Sequence, residues 1–368
     1  MDLTMHSIGD NIGPEKIVLL RQPHVGLEAI VVVDNVACGP AIGGVRMAQD
    51  LTVDEVFRLS RAMTLKNAAA GLSHGGGKSG IIANPACNRE QKELLVRTFA
   101  RMIKQLTEYI PGPDMGTNEE CMAWIKDEIG RAVGLPRALG GIPLDEIGAT
   151  GFGIAVAAEV AAPEAGISLK GSCVAVQGFG AVGQHASHFL GMRGAKLVAA
   201  SDSRGAIQNQ DGLDIGSLIK HKKGGSPVNT FPGGQPMDRD ELVGVKCDIW
   251  IPAARPDALT ENNVDQLKAK LVLDGANIPA TEDAEKKMHK RGILNIPDFI
   301  ANAGGVICAA VEYHGGSQSQ ATAMIEEKIH ANTLETLERS KKENLLPREA
   351  AVRMAFSRIE KAMSYRGT

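Results

Sequence analysis

Three charged side chains in the first third of the chain stand in settings that suit work on an amino group. Lys78 lies in Gly-Gly-Gly-Lys-Ser-Gly (75–80), Lys66 comes twelve positions earlier near the end of a helical pattern, and Asp114 lies in Pro-Gly-Pro-Asp-Met-Gly-Thr-Asn. Two ammonium groups and a carboxylate can hold an α-amino acid, because one lysine pairs with the substrate carboxylate and the other groups remain to move protons. GGGKSG also looks like the phosphate loop G-x-x-x-x-G-K-[ST]. The register excludes that motif: with Gly77-Lys78-Ser79 at its end, the first glycine falls at Leu72, and the preceding RAMTLKNAAAGL reads as helix where the loop needs a strand. The alternative for a lone lysine is a solvated surface charge, and the glycine and apolar neighbours of Lys78 argue against it.

A second motif lies in the other half. Ser172–Gln177 reads as a strand running into Gly178-Phe-Gly180-Ala181-Val182-Gly183 and then a helix. In that placement Gly178 makes the tight turn, Gly180 leaves room for a pyrophosphate, and Gly183 lets the helix pack on the strand with its N–H groups facing the anion. The next strand ends at Asp202, 24 positions after Gly178, close to the usual spacing for an acid that binds a ribose 2′-hydroxyl. Asp202 favours NAD, while Ser201, Ser203 and Arg204 suit a 2′-phosphate, so NAD is expected with NADP as the alternative.

These groups need a scaffold. Lys16–Arg21 and Leu27–Asp34 read as strands, CGPAIGGVRM as a glycine-rich turn, and Asp54–Ala70 and Glu90–Ile110 as helices. Residues 132–153 turn to Gly, Pro and small side chains, the composition of a hinge. After it, strands (SCVAVQG, AKLVAASD, CDIWIPAA, KLVLDGAN, GILNIP) alternate with polar or helical segments, and Gln320–Tyr365 reads as two helices. That alternation predicts a doubly wound parallel sheet. The fold class expected is α/β, with an N-terminal α/β domain over 1–135, joined by the C-terminal helix 343–368, and a Rossmann-like domain over 136–342.

Composition narrows the partners. With 40 Lys and Arg against 43 acids the net charge is −3, which provides no field for a nucleic acid. The least charged stretch, Ile147–Ala158, is 12 residues long, well short of the ~20 a membrane span needs. The six cysteines form no Cys-x-x-Cys pair, so neither a zinc site nor a disulfide framework is encoded, and no metal is expected. MDLTMHSIGDNIGPEK has early acids and no apolar run, so a cytoplasmic protein without a secretory signal is expected. His185 and His188 read as a solvated helix face, KHKKGG from Lys220 as an exposed helix end, and His74 as a neighbour of substrate or of a backbone carbonyl.

The order of several long motifs resembles that of the Glu/Leu/Phe/Val amino-acid dehydrogenases, which reversibly deaminate an L-amino acid to its 2-oxo acid and ammonia with NAD(P). They are MTLKNAAAGLSHGGGKSGIIANP, PGPDMGTNEECMAWIKDE, GATGFG, VQGFGAVG, SDSRGAI, DIWIPAA, DGANIPAT and PDFIANAGGV, spread over nearly the whole chain. The resemblance implies a substrate domain and a dinucleotide domain with a cleft between them, and a homo-oligomer. Lys66, aided by the backbone at Gly43 and Gly44, would bind the α-carboxylate. Lys78 would polarise the carbonyl and activate water, its proton affinity lowered by Lys66, and Asp114 would shuttle protons to nitrogen. Thr150, Ala253, Asn277 and Asn302 would lie around the nicotinamide and its ribose. Gly178, Gly180, Ala181, Val182, Gly183, Asp202, Ser203 and Arg204 would hold the adenosine half.

The same resemblance bears on the substrate side chain. Where glutamate dehydrogenases have a lysine and a serine for the side-chain carboxylate, this chain has Ile42 and Ala309. With Val306 they form an expected apolar wall, and Gly112 would widen it. A hydrophobic substrate of the leucine, valine or phenylalanine type is therefore expected, with glutamate as the alternative because SDSRGAI and DMGTNEE look like the glutamate branch.

Overall fold

The computed structural model describes residues 9–366; the N-terminal segment read for a leader lies partly outside the described residues. In chain order the first elements are β1 (Lys16–Gln22), β2 (Leu27–Asn35), β3 (Ala41–Ala48), α1 (Val53–Ala69), β4 (Gly75–Ile82), α2 (Arg89–Met102), β5 (Tyr109–Pro113) and α3 (Glu119–Ile129). There follow α4 (Ala149–Glu164), β6 (Cys173–Gln177), α5 (Ala181–Met192), β7 (Lys196–Asp202), β8 (Gly205–Gln208), α6 (Ile215–Lys223), β9 (Gln235–Met237), β10 (Ile249–Pro252) and β11 (Leu271–Leu273). The chain ends with α7 (Glu282–Lys290), β12 (Leu294–Ile296), α8 (Asp298–Ala301), α9 (Gly304–Tyr313), α10 (Gln318–Glu343) and α11 (Pro347–Ser364).

The chain divides into two compact units. The first is Met1–Leu144 with Val306–Met324 and Arg353–Thr368, and the second is Asp145–Gly305 with Ile325–Val352. The sequence-based boundaries differ from these: the first break falls after Leu144 rather than at 135, and the return of residues 306–324 to the first unit was not anticipated. Residues 343–352 pack with the second unit.

In the first unit the sheet order is β1-β2-β4-β3-β5. Successive side chains of a strand point to opposite faces, and here the two faces have different jobs. From β2, Ile30 and Val32 pack with Val53 and Val56 of α1, while Leu27, Ala29, Val31 and Val33 join Leu95, Phe99, Met122 and Ile125 of α2 and α3. α1 starts at Thr52, whose hydroxyl accepts from the Glu55 N–H, and Asn88 and Asn118 cap α2 and α3 in the same way.

CGPAIGGVRM, expected as a turn, is mostly strand β3, and GGGKSG is strand β4. Their glycines mark close approach rather than reversal. A Cβ on Gly43 would lie 1.6 Å from the Gly77 carbonyl oxygen, and one on Gly76 would lie 2.0 Å from the Thr64 nitrogen of α1. The helix expected over 90–110 stops at Met102, and β5 follows; Pro111 and Pro113 cannot extend a helix.

In the second unit the sheet order is β12-β11-β10-β6-β7-β8-β9. The strands from β12 to β7 are parallel, and β8 and β9 extend the edge antiparallel. The Rossmann-like expectation holds, while the two short edge strands, one of them centred on Pro236, were not legible as strands. The chain leaves β6 for β7 on one side and returns to β10 on the other, so β6 borders the switch point where such sheets bind ligands. Among the described residues no helix is long and apolar enough to cross a membrane.

Candidate active site and family membership

Strand register puts the candidate catalytic residues on one face of the first sheet. Lys78 pairs with Val32 on β2, so it points to the α1 side, between Gly76 and Gly80, whose missing side chains let α1 approach. On β3, Ile42 is in register with Gly76 and with Ile110, and Gly44 with Gly112 of β5. Ile42, Gly44, Arg46, Lys78, Gly112 and Asp114 thus follow one two-residue period on the α1 side of the sheet. α1, which carries Lys66, packs on that side, and the neighbouring Asn67 Nδ2 donates to the Gly75 carbonyl at 2.7 Å.

Lys78 and Asp114 form an ion pair with both side chains mostly buried. Burial pushes the Lys78 ammonium below its ordinary value; Asp114 opposes that shift and Arg46 adds to it. For Asp114 burial pushes upward, but Lys78, the Met115 N–H and Arg46 hold the carboxyl below the usual carboxylate range. The Met115 N–H donates to Oδ1 at 2.7 Å, and the Asp114 N–H donates to the Thr117 hydroxyl, which in turn donates to the Val45 carbonyl. Asp114 is therefore fixed at a strand end by its own turn.

Two participants were missed in the sequence. Arg46 lies 3.6 Å from Asp114 and bonds Glu55 at 2.9 Å, and its positive charge helps to depress Lys78. Its only signal is the position two residues after Gly44, on the same strand face. Tyr109, fully buried, donates to the Gly43 carbonyl at 2.9 Å and lies 2.9 Å from the Ser79 hydroxyl, bracing the glycine strands from the opposite face.

The residues expected to shape the substrate pocket are unevenly placed. Ile42 is buried, and Val306 and Ala309 share a half-buried face of α9. Gly112 does not simply widen the site, because a Cβ there would meet Val133 at 3.1 Å. His74 takes the backbone option: its Nδ1 is 3.0 Å from the Pro40 carbonyl, while its Nε2 faces His314 at 3.1 Å. The carbonyl fixes Nδ1 as the donor, so neutral His74 accepts from His314. His185 departs from the solvated face expected for it: it packs against Gly148 and stacks on Phe189, and only His188 is exposed.

In the second unit, the segments after β6, β10 and β11 come together. Gly178 has φ +96°, and a Cβ on it would lie 2.8 Å from Ala254. A Cβ on Gly183 would lie 2.1 Å from the Gly178 carbonyl oxygen, yet one on Gly180 would meet nothing within 4 Å. Packing within the protein thus explains two of the three fingerprint glycines, and Gly180 opens onto space at the start of α5 with Ala181, Val182 and Gly183. That fits a pyrophosphate lying against the backbone.

Ala253 donates to the Gln177 carbonyl at 2.7 Å. Asn302 Nδ2 donates to Asn277 Oδ1 at 3.2 Å, and Thr150 lies in the first turn of α4 near Gly305. Asp202 is already engaged: Oδ1 accepts from the Arg204 N–H at 2.8 Å, and Oδ2 accepts from Lys222 at 2.6 Å and the Val228 N–H at 3.1 Å. Ser203 follows it at the tip of the β7–β8 turn. Lys222 belongs to the run expected as an exposed helix end; in fact it turns back onto Asp202.

Comparison with known proteins agrees with this geometry. The family model described as Glutamate/Leucine/Phenylalanine/Valine dehydrogenase matches residues 140–367, and that of the Glu/Leu/Phe/Val dehydrogenase dimerisation domain matches 14–131. The chain belongs to the Glu/Leu/Phe/Val dehydrogenase family. As a member of that family it is an oxidoreductase of amino acids that uses NAD or NADP. A glutamate dehydrogenase of Aeropyrum pernix is 39% identical over 357 residues, covering 90% of this chain and 85% of that protein. An NADP-specific glutamate dehydrogenase of Saccharolobus shibatae is 36% identical over 354 residues, covering 90% and 84%. The solved structure of an L-tryptophan dehydrogenase from Nostoc punctiforme superposes with a TM-score of 0.76 at 25% identity, covering 96% of this chain and 97% of that one.

Proposed function

We propose that this chain catalyses the reversible oxidative deamination of an L-amino acid to its 2-oxo acid and ammonia, with Lys78 and Asp114 handling the protons. The observation that carries this reading is their buried ion pair on the sheet face shared with Ile42, Gly44 and Arg46. Asp114, kept ionised by its cationic neighbours, takes the proton from the substrate ammonium. Lys78, biased towards the neutral amine, draws a proton from water as that water adds to the imine carbon, and its ammonium form then hydrogen-bonds the new oxygen. Lys66, with the Gly43 and Gly44 backbone, pairs with the α-carboxylate. When bound, the dinucleotide supplies the hydride acceptor at its nicotinamide. Gly178, Gly180, Ala181, Val182 and Gly183 would hold its pyrophosphate, Asp202, Ser203 and Arg204 its adenosine ribose, and Thr150, Ala253, Asn277 and Asn302 its nicotinamide end.

For the substrate side chain, glutamate has the wider support, because both relatives above carry that name. A second reading, a branched or aromatic side chain, is favoured by Ile42 and Ala309 standing where a lysine and a serine would meet a carboxylate. A panel of amino acids with NAD and NADP, followed by absorbance of the reduced cofactor, decides between them. Glutamate leading in kcat/KM supports the first reading, and leucine, valine, phenylalanine or tryptophan leading supports the second. No turnover with any of them overturns the proposal.

Lys222 bears on the choice of cofactor. By neutralising Asp202 it weakens the repulsion of a 2′-phosphate, whereas Arg204 meets that carboxylate through its backbone N–H and sends its guanidinium to the Gly225 carbonyl. Lys222→Gln is expected to lower the NADP-to-NAD ratio of kcat/KM by about tenfold, equivalent to ~1.4 kcal/mol; an unchanged ratio refutes that role. The match to a dimerisation domain supports self-association of the chain, and six unpaired thiols suit a reducing cytoplasm.

A further inference from the structure

The turn that presents Asn277 is strained. Ile278 has φ +48°, a left-handed conformation that is costly for a β-branched residue, and its side chain is 58% exposed, so burial of that side chain does not hold it there. Its backbone does: the Ile278 N–H donates to Asp298 Oδ2 at 3.0 Å, and its carbonyl accepts from the Asp257 N–H at 3.0 Å. Asp298 Oδ1 in turn accepts from Arg348 at 2.8 Å.

The same guanidinium bonds Glu285 at 2.6 Å and Asp274 at 3.3 Å and lies over the Phe299 ring. All three carboxylates are largely or wholly buried. Four contacts therefore immobilise one arginine, and its charge reaches the strained turn through a single carboxylate. On the far side of that turn Asn302 donates to the Gly275 and Ala276 carbonyls and to Asn277 Oδ1, which leaves the Asn277 amide nitrogen to donate elsewhere.

We propose that Asp298, held by Arg348, is a positioning residue that keeps the Asn277–Ile278 turn in its strained conformation and so aims the Asn277 amide at the nicotinamide end of the dinucleotide. This rests on the assignment of Asn277 made above. The mechanism is leverage: a charge-assisted hydrogen bond offsets the backbone strain, and relieving the strain removes the need for it.

The test is a double-mutant cycle on the full-length enzyme with NAD and NADP. Asp298→Asn is expected to raise the dinucleotide KM at least fivefold, with the amino-acid KM within twofold of the parent. In an Ile278→Gly background, where a left-handed φ costs nothing, the same substitution is expected to change the dinucleotide KM less than twofold. Equal effects in both backgrounds, or no effect in either, overturn the proposal. If Asp298→Asn does not fold, Arg348→Lys is taken through the same cycle with the same two outcomes. Asn277→Ala separates the proposal from the assignment beneath it. If that variant leaves the dinucleotide KM unchanged, the assignment fails; if it raises KM while the cycle is additive, positioning alone fails.

Discussion

Lys78→Ala is expected to lower kcat by about a thousandfold or more while dinucleotide affinity stays within twofold of the parent. The magnitude is that of losing a positioned proton-transfer group, about 10²–10⁴, together with the group that stabilises the carbonyl oxygen. Dinucleotide affinity is spared because the segment around Gly180 lies in the other compact unit and shares no strand with β4. Stopped-flow turnover and titration of cofactor fluorescence check the two halves separately, and parental turnover in the variant refutes the role of Lys78.

The pH dependence gives the same claim a sign. Neutral Lys78 is the form that accepts a proton from water, so kcat/KM for deamination rises with pH through a limb that lies below the ordinary lysine value, since burial depresses Lys78. Arg46 contributes to that depression through its positive charge. Arg46→Met removes it and leaves Glu55 without its partner, and both changes favour the protonated amine. The limb therefore moves to higher pH, and a limb that stays in place or moves to lower pH contradicts the assignment.

What the sequence disclosed and what it hid follow from separation along the chain. The glycine fingerprint was legible because a strand, a tight turn and a helix start are local, and a Cβ on Gly183 would meet the Gly178 carbonyl only five positions earlier. Lys78 was legible as a lysine among glycines, but its surroundings were misjudged: those glycines sit in a strand, and they are small because α1 and β3 press against them. Hydrophobic periodicity says which face of an element is buried and is silent on which charged partner meets it. Arg46 reaches Asp114 from 68 positions away, Lys222 reaches Asp202 from 20 and Arg348 reaches Asp274 from 74, and none of these pairs has a local pattern. The helix from Gly304 was missed because its Gly-rich start and small apolar residues show no amphipathic stripe.

Ile42→Lys combined with Ala309→Ser is expected to raise the glutamate-to-leucine ratio of kcat/KM by a hundredfold or more, whichever of the two the parent prefers. Ile42 is buried on the Lys78 face and in register with Gly76, so an ammonium placed there enters the same face as the reacting groups. For leucine it puts an unpaired charge against an apolar side chain, and for glutamate it supplies the missing partner. An unpaired buried carboxylate costs several kcal/mol even after relaxation, whereas a methylene more or less in an apolar pocket discriminates by only ~1–3 kcal/mol; charge, more than size, should therefore decide between the two substrates. The new ammonium also lies near Lys78, so the variant's pH limb is expected at lower pH than the parent's, because a like charge disfavours the protonated amine. Ile42→Met, which conserves volume without adding charge, is expected to leave the ratio within threefold. A double variant that folds, binds the dinucleotide and keeps the parental ratio would place the substrate side chain somewhere other than against Ile42.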